Sequence, residues 1–119
     1  MGSKYIECLN GENILCRRAM WATNWWHRTK GLMFKRQLGG TEDIDGMLID
    51  YCNSVHTFFM RFPLDLIFLS RDNIVIKVIQ NKKPWRVTRF YWHASKVLEL
   101  PVGMAIKVKQ GDQIEVRNV

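Results

Sequence analysis

Apolar residues in this sequence come in short runs, each about the length of a β-strand and bounded by turn-forming residues. The clearest runs are 64–69 and 74–79, which the turn formers from Ser70 to Asn73 separate. Short strands bury their apolar faces only by packing two sheets together or by curling one sheet on itself. The pattern predicts a mainly β (α+β) fold, a small β-barrel or sandwich of seven to eight short strands with two short helices.

The individual elements follow from local signals. Predicted strands cover residues 5–9, 14–22, 47–49, 57–60, 64–69, 74–79, 96–100 and 113–117. The Asn10 to Asn13 turn joins the first two into a hairpin. Both alternating sets of side chains in 74–79 are largely apolar, which predicts a central strand. One helix is predicted from an N-cap at Thr23 or Asn24 to about Lys30, and another over 102–108 after Pro101.

Length and composition favour a single domain over 1–119. The chain is 47% hydrophobic, which favours an ordered core, and no apolar run reaches the roughly 18 residues of a membrane span. No signal peptide is visible, so we expect a cytoplasmic protein. The opening Met1-Gly2-Ser3 leaves open the alternative that an N-terminal signal segment was removed. We expect a monomer.

The three cysteines predict neither a disulfide framework nor a metal site. Their number is odd and no Cys-x-x-Cys spacing occurs. Cys8 and Cys16 flank the hairpin turn and are predicted to lie opposite each other, as free thiols or, alternatively, as a cross-strand disulfide. His27, His56 and His93 have no ligand spacing, so we expect no metal and no cofactor.

Positive charge is concentrated in two blocks. The net charge is +7, and no acidic residue lies between Glu12 and Glu42 or between Asp72 and Glu99. The basic residues in these blocks are Arg17, Arg18, Arg28, Lys30, Lys35 and Arg36, followed by Lys77, Lys82, Lys83, Arg86, Arg89 and Lys96. This distribution predicts an anionic partner, either a small molecule or a nucleic acid.

Several sequence blocks together resemble one protein family, the domain of unknown function 192. The blocks are residues 28–34, 45–48, 56–65, 84–86, 97–103 and 111–112. The block at 56–65 resembles the branch that reads His-Thr-x-x-Met-Arg-Phe-Pro. The matching region covers about 22–117, and the resemblance implies a compact, mainly β domain without an established activity.

The polar residues inside these blocks form one candidate site. His56, Arg61 and Asp65 lie within the apolar stretch 55–69, where an unpaired charge would cost several kcal/mol. Arg61 is predicted to pair with Asp65 or Glu99 through its guanidinium fork. The candidate ligand-binding set is His56, Arg61, Asp65, Arg86 and Glu99. The alternatives are ion pairs that only fix strand register, and an enzyme that uses His56, Asp65 and Glu99.

A second candidate site is the segment 82–93, which interleaves aromatic and basic residues. Its candidate nucleic-acid ligands are Lys82, Lys83, Trp85, Arg86, Arg89, Tyr91 and Trp92. Stacking rings among cations suit single-stranded nucleic acid. A membrane interface and a loop whose rings cover the core are the alternatives.

The leading interpretation is a small ligand-binding or accessory module for which the sequence demonstrates no catalysis. An anion or nucleic-acid binder and an enzyme are its alternatives. Exposed Trp85, Phe90 and Trp92 would favour the binder. A concave pocket lined by His56, Arg61 and Glu99 would favour the enzyme or ligand module.

Overall fold

The computed structural model describes residues 4–22, 44–57 and 62–119, which form seven β-strands. The strands are β1 (Lys4–Asn10), β2 (Asn13–Ala22), β3 (Gly46–Asp50), β4 (Leu64–Leu69), β5 (Val75–Lys82), β6 (Lys96–Pro101) and β7 (Ile114–Asn118). These three ranges contain no helix, and hence none long and apolar enough to cross a membrane. The mainly β class is confirmed.

The strands form one sheet in the order β5-β4-β6-β3-β2-β1-β7. β2 and β3 are parallel, and the other neighbours are antiparallel. The sheet curls into a half-barrel that brings its two edges together at one end. There, Ile74 forms an isolated bridge with Gln113, and the Val75 amide donates to the Asp112 carbonyl at 2.8 Å.

The strand predicted to be central is an edge strand, so this prediction is wrong. β5 pairs only with β4 along its length, whereas all six residues of β4 are buried. Both faces of β5 nevertheless carry apolar residues, because each face packs against one of the two core clusters. Val78 packs against one core cluster, and Ile76 and Ile79 pack against the other.

Neither predicted helix is confirmed. Residues 102–107 form turns instead of a helix, because Gly103 has a φ of +101° and the Gly103 and Ala105 amides donate to the Asp65 carboxylate. The helix ending near Lys30 and the strand residues 58–60 lie outside the described residues. Thr57 belongs to no strand.

Strand alternation divides the described core between the two faces of the sheet. One cluster includes Ile6, Leu48, Ile67, Leu98 and Ile114, on the concave side where the edges approach. The second includes Met47, Leu66, Phe68, Val97 and Ala94. Both faces of the central strands β3, β4 and β6 are buried, so their side chains are mostly apolar on both faces, with Asp65 and Glu99 as buried exceptions.

Cys8 and Cys16 are directly opposite each other in the β1–β2 pairing, as predicted. Both are buried free thiols. A hydrogen bond with the Cys8 side chain, and then burial, raise the pKa of Cys16 well above its usual range. The Cys16 thiol is therefore protonated, and unreactive as a nucleophile, at neutral pH.

Two glycines are required for different reasons. A Cβ at Gly46 would lie 3.1 Å from the Glu99 carbonyl oxygen and 3.1 Å from Leu100 Cδ2, whereas Gly11 has open space but a φ of +62°. We expect Gly46→Ala to lower the free energy of unfolding by about 1–3 kcal/mol through overpacking, and Gly46→Asn to lower it further.

At Gly11 the order of the same two substitutions should reverse. Asn tolerates a positive φ better than Ala, so Gly11→Asn should be the milder change, with Gly11→Ala costing about 1 kcal/mol. Urea unfolding of the four variants measures this. The same order at both positions would contradict the assignment of crowding to Gly46 and of backbone strain to Gly11.

Candidate functional site

The most exposed aromatic surface of the described chain lies in the 82–93 segment. Phe90 is 61% exposed and Trp92 81% exposed. Their rings stack with centroids 5.7 Å apart and an interplanar angle of 16°. We call these two residues the aromatic platform. Large rings presented side by side to solvent are uncommon on a small domain and mark binding surfaces.

Tyr91 anchors the platform to the core. Its ring lies 4.6 Å from that of Phe68, a buried β4 residue, at 47°. Its amide donates to the Asn53 carbonyl at 3.0 Å, and its carbonyl accepts from the Ala94 amide at 2.8 Å. Local alternation therefore turns Tyr91 inward and its two neighbours outward. Tyr91, one of the candidate nucleic-acid ligands predicted from the sequence, is half-buried against Phe68.

Thr57 holds the other end of the segment. Its buried hydroxyl donates to the Lys83 carbonyl at 2.6 Å and accepts from the Arg86 amide at 2.9 Å. Its backbone amide donates to the Arg86 carbonyl at 2.7 Å, and its carbonyl accepts from the Trp85 amide at 2.8 Å. Sequence reasoning missed Thr57 because it weighed only charged residues of 55–69. The signal was a hydroxyl within an apolar run.

The basic side chains of the segment face solvent beside exposed rings. Lys83, Arg86 and Arg89 are exposed and Lys82 is half-buried. Trp85 is 55% exposed and adopts a φ of +62°, a conformation that costs a bulky residue energy and persists only where surrounding contacts impose it. No acidic residue lies within 82–93, so the surface attracts anions.

Asp65 is fully buried, and its carboxylate accepts three backbone hydrogen bonds. Oδ1 accepts from the Asn81 amide at 2.9 Å, and Oδ2 accepts from the Gly103 and Ala105 amides at 2.9 and 3.0 Å. Together these bonds tie β4 to the end of β5 and to the turn after β6. This arrangement is a structural use of a buried carboxylate, in which donors compensate desolvation.

Glu99 is buried without such compensation from the residues that the structure describes. It is 4% exposed, and no described residue donates a hydrogen bond to its carboxylate. Its strand neighbours are Met47 and Leu66. Burial raises the pKa of Glu99 to about 8, because the charged form loses its hydration. Glu99 is therefore largely protonated at neutral pH.

The two carboxylates do not share a pocket. Asp65 pairs with Leu100, and the adjacent Leu66 pairs with Glu99. Successive residues of a strand point to opposite faces, so Asp65 lies on the face of Ile67 and Glu99 on the face of Leu66. The structure separates these two members of the predicted polar set.

The other members of that set lie elsewhere. His56 is exposed and forms an isolated bridge with Val87. The Arg86 guanidinium approaches the Pro84 and Trp85 carbonyls, each at 3.4 Å. His56 and Arg86 therefore belong to the 82–93 surface. Arg61, and with it the predicted ion pair, lies outside the described residues.

The second basic region is partly engaged within the fold. Arg17 and Arg18 are exposed, and their amides donate to the two carboxylate oxygens of Asp45 at 2.8 and 2.9 Å. The Arg18 guanidinium lies 3.9 Å from the centroid of the Tyr5 ring, a cation–π contact. The 82–93 segment is consequently the better anion site. Among the described residues, no three acidic, histidine or cysteine side chains gather as metal ligands.

Comparisons with known proteins place the chain in one family. The model of DUF192, described as an uncharacterized ACR, matches residues 7–116. A UPF0127 protein of Pyrococcus horikoshii is 34% identical over 90 residues, 74% of this chain and 77% of that protein. A UPF0127 protein of Pyrococcus abyssi is 38% identical over 64 residues. That match spans about half of each chain, 52% of this one and 54% of the relative.

Two solved structures share the fold. A protein of unknown function from Novosphingobium aromaticivorans superposes with a TM-score of 0.75 at 24% identity, covering 95% of this chain and 84% of its own. A structure from Sinorhizobium meliloti has a TM-score of 0.75 at 21% identity, covering 97% and 94%. At this identity the likeness establishes the architecture and nothing about activity.

The Asp65 bonds predict a large and specific stability effect. We expect Asp65→Asn to lower the free energy of unfolding by about 3 kcal/mol, because a buried carboxylate that accepts from three backbone amides is replaced by a neutral group with one acceptor oxygen. Asp72→Asn, at an exposed turn position, should change it by less than about 0.5 kcal/mol. Urea denaturation compares the two, and equal effects would contradict the structural role of Asp65.

The raised pKa of Glu99 predicts an unusual dependence of the free energy of unfolding on pH. Below pH 4.5, its ordinary pKa, the carboxyl is protonated in both folded and unfolded chains. Between pH 4.5 and about 8 only the unfolded chain ionises, so this group lowers stability by about 1.4 kcal/mol for each unit of rising pH.

Glu99→Gln should abolish that slope, and Glu99→Leu should in addition raise stability at pH 7 by up to about 3 kcal/mol. Chemical denaturation at pH 5, 6, 7 and 8 measures the slope, with the exposed Glu12→Gln as control. A parent protein and Glu99→Gln variant with the same slope would show that Glu99 does not remain protonated.

Proposed function

The chain belongs to the DUF192 family, and we propose that it is a binding module for single-stranded nucleic acid that uses the 82–93 segment. The observation that carries the proposal is the aromatic platform, a stacked and exposed pair of rings in a segment with exposed cations and no acidic residue. Bases stack on such rings irrespective of sequence, while cations contact the phosphates.

The rings are presented in a prearranged form. Tyr91, which lies between the two rings of the platform in sequence, packs against Phe68 and donates a hydrogen bond to Asn53. Thr57 forms hydrogen bonds with residues 83 and 86 at the start of the segment. A surface held by the core loses little conformational entropy on binding, so more of the stacking energy contributes to affinity. This support favours a binding role for the exposed rings over a role in which they only cover the core.

The positive charge of the 82–93 segment favours a polyanionic partner. Arg86 and Arg89 interleave with Trp85, Phe90 and Trp92 along the same exposed segment. A polyanion with flat, apolar groups at regular spacing satisfies both features. Interfacial membrane segments combine cations with a broad aliphatic and aromatic surface, whereas here the exposed apolar residues are three aromatic rings and Val87. Single-stranded nucleic acid therefore fits this surface better than a bilayer.

The test separates stacking from simple charge attraction. Labelled oligothymidylate of twelve nucleotides and inorganic polyphosphate, which lacks bases, are titrated in parallel by fluorescence anisotropy and competition. We expect Trp92→Ala to weaken oligothymidylate binding by about 5- to 150-fold, the equivalent of 1–3 kcal/mol for a lost stack, and to leave polyphosphate binding unchanged. Ile106→Ala, at another exposed apolar residue, is the control.

Salt dependence provides the second readout. If Lys82, Lys83, Arg86 and Arg89 all contact phosphates, log K should fall against log salt with a slope of about −3, and Arg89→Gln should reduce its magnitude by about 0.7. Equal weakening of both ligands by Trp92→Ala would contradict the proposal. So would binding to anionic vesicles without binding to the oligonucleotide.

A further inference from the structure

A groove beyond the carboxyl end of β6 forms a separate candidate site. It lies between the β1–β2 turn and the 102–107 turns and has a volume of about 190 Å³. Its lining residues are Asn10, Asn13, Ile14, Leu15, Gly103, Met104, Ile106, Lys107 and Val108. The aromatic platform precedes the amino end of β6, so the two surfaces are distinct.

The groove is apolar inside and polar at its edge. Leu15 and Val108 are buried parts of the core, while Met104 is 41% exposed and Ile106 67% exposed. Such exposed aliphatic side chains beside a concavity offer surface that a ligand can remove from water. Asn13 and Lys107 are exposed residues of the lining whose side chains can donate hydrogen bonds to a polar group of a ligand.

Two aspartates hold the walls in place. Asp65 fixes the Gly103 and Ala105 amides. Asp112 accepts from the Asn10 side-chain amide at 3.0 Å and from the Lys109 amide at 2.8 Å. The 102–107 turns are therefore tied to β4, and the β1–β2 hairpin is tied to the turn at 109–112. A groove that exists before binding needs little rearrangement to accept a ligand.

We propose that this groove binds an aliphatic carboxylate of about six to eight carbons, with the chain in the groove and the carboxylate at Lys107. Lys107 is the sole charged residue in the groove lining, which favours an anionic head group. The Asp112 carboxylate is not part of that lining, and it accepts hydrogen bonds from the Asn10 side chain and the Lys109 amide. A cavity of 150 Å³ accommodates benzene, so about 190 Å³ suits a short chain.

Chain length gives the sharpest test. Butanoate, hexanoate, octanoate and decanoate are titrated against the full chain, and binding is followed by nuclear magnetic resonance shifts of the Met104 and Ile106 methyl groups. We expect affinity to rise about fourfold for each added methylene, the equivalent of the transfer free energy of one CH₂, and to level off near eight carbons when the groove is full. Affinity that does not depend on chain length would overturn the proposal, as would shifts confined to other methyl groups.

Matched variants test the two contacts. Lys107→Gln should weaken octanoate binding about two- to fivefold, as for a partly exposed ion pair, and leave octan-1-ol binding unchanged. Lys109→Gln removes the same charge from an exposed residue outside the lining and should have no effect. Met104→Gln should weaken both ligands about tenfold. Equal effects of the two lysine substitutions, or no effect of Met104→Gln, would show that the groove is not the site.

Discussion

The structure depends most on the Asp65 carboxylate. A buried charge is tolerated only where donors surround it, and three backbone amides from two different segments meet this requirement. Asn81, one of the donors, has a φ of +56° and lies opposite Asp65 at an irregularity of the β4–β5 register. The same carboxylate fixes the start of the 82–93 segment and the Gly103 wall of the groove. Asp65 therefore contributes to the support of both proposed binding surfaces, beside Tyr91 and Thr57 at the first and Asp112 at the second.

The Asp45 carboxylate also accepts hydrogen bonds from backbone amides, on the other half of the sheet. Its carboxylate accepts the Arg17 and Arg18 amides next to a register shift between β1 and β2. A bulge leaves backbone donors without ladder partners, and an aspartate on the adjoining segment satisfies them. Gly46 follows immediately and allows β3 to approach β6 closely. Asp45 therefore satisfies the backbone donors of the bulge, and the adjacent Gly46 provides the space that the approach of β3 to β6 requires.

Glu99 contrasts with these two aspartates. It lies in a strand whose neighbours are Met47 and Leu66, and burial holds its pKa near 8. Asp65 contributes to stability through its donors, whereas Glu99 opposes stability as pH rises. Two carboxylates on the neighbouring strands β4 and β6 consequently have opposite energetic roles. The difference comes from which face of the sheet each one occupies.

Local patterns in the sequence determined the strands and the hairpin. Alternation and turn residues were sufficient for β1, β2, β4 and β6, and for the opposition of Cys8 and Cys16 across the hairpin, because side-chain alternation and turn formation are properties of residues close in the chain. Tertiary structure decided the position of β5 at an edge, the turns after Pro101 and the separation of Asp65 from Glu99. Each of these depends on which distant backbone groups meet. Composition alone identified the 82–93 segment, but only packing against Phe68 and Thr57 turned its rings outward, since side-chain direction follows from what the core already occupies.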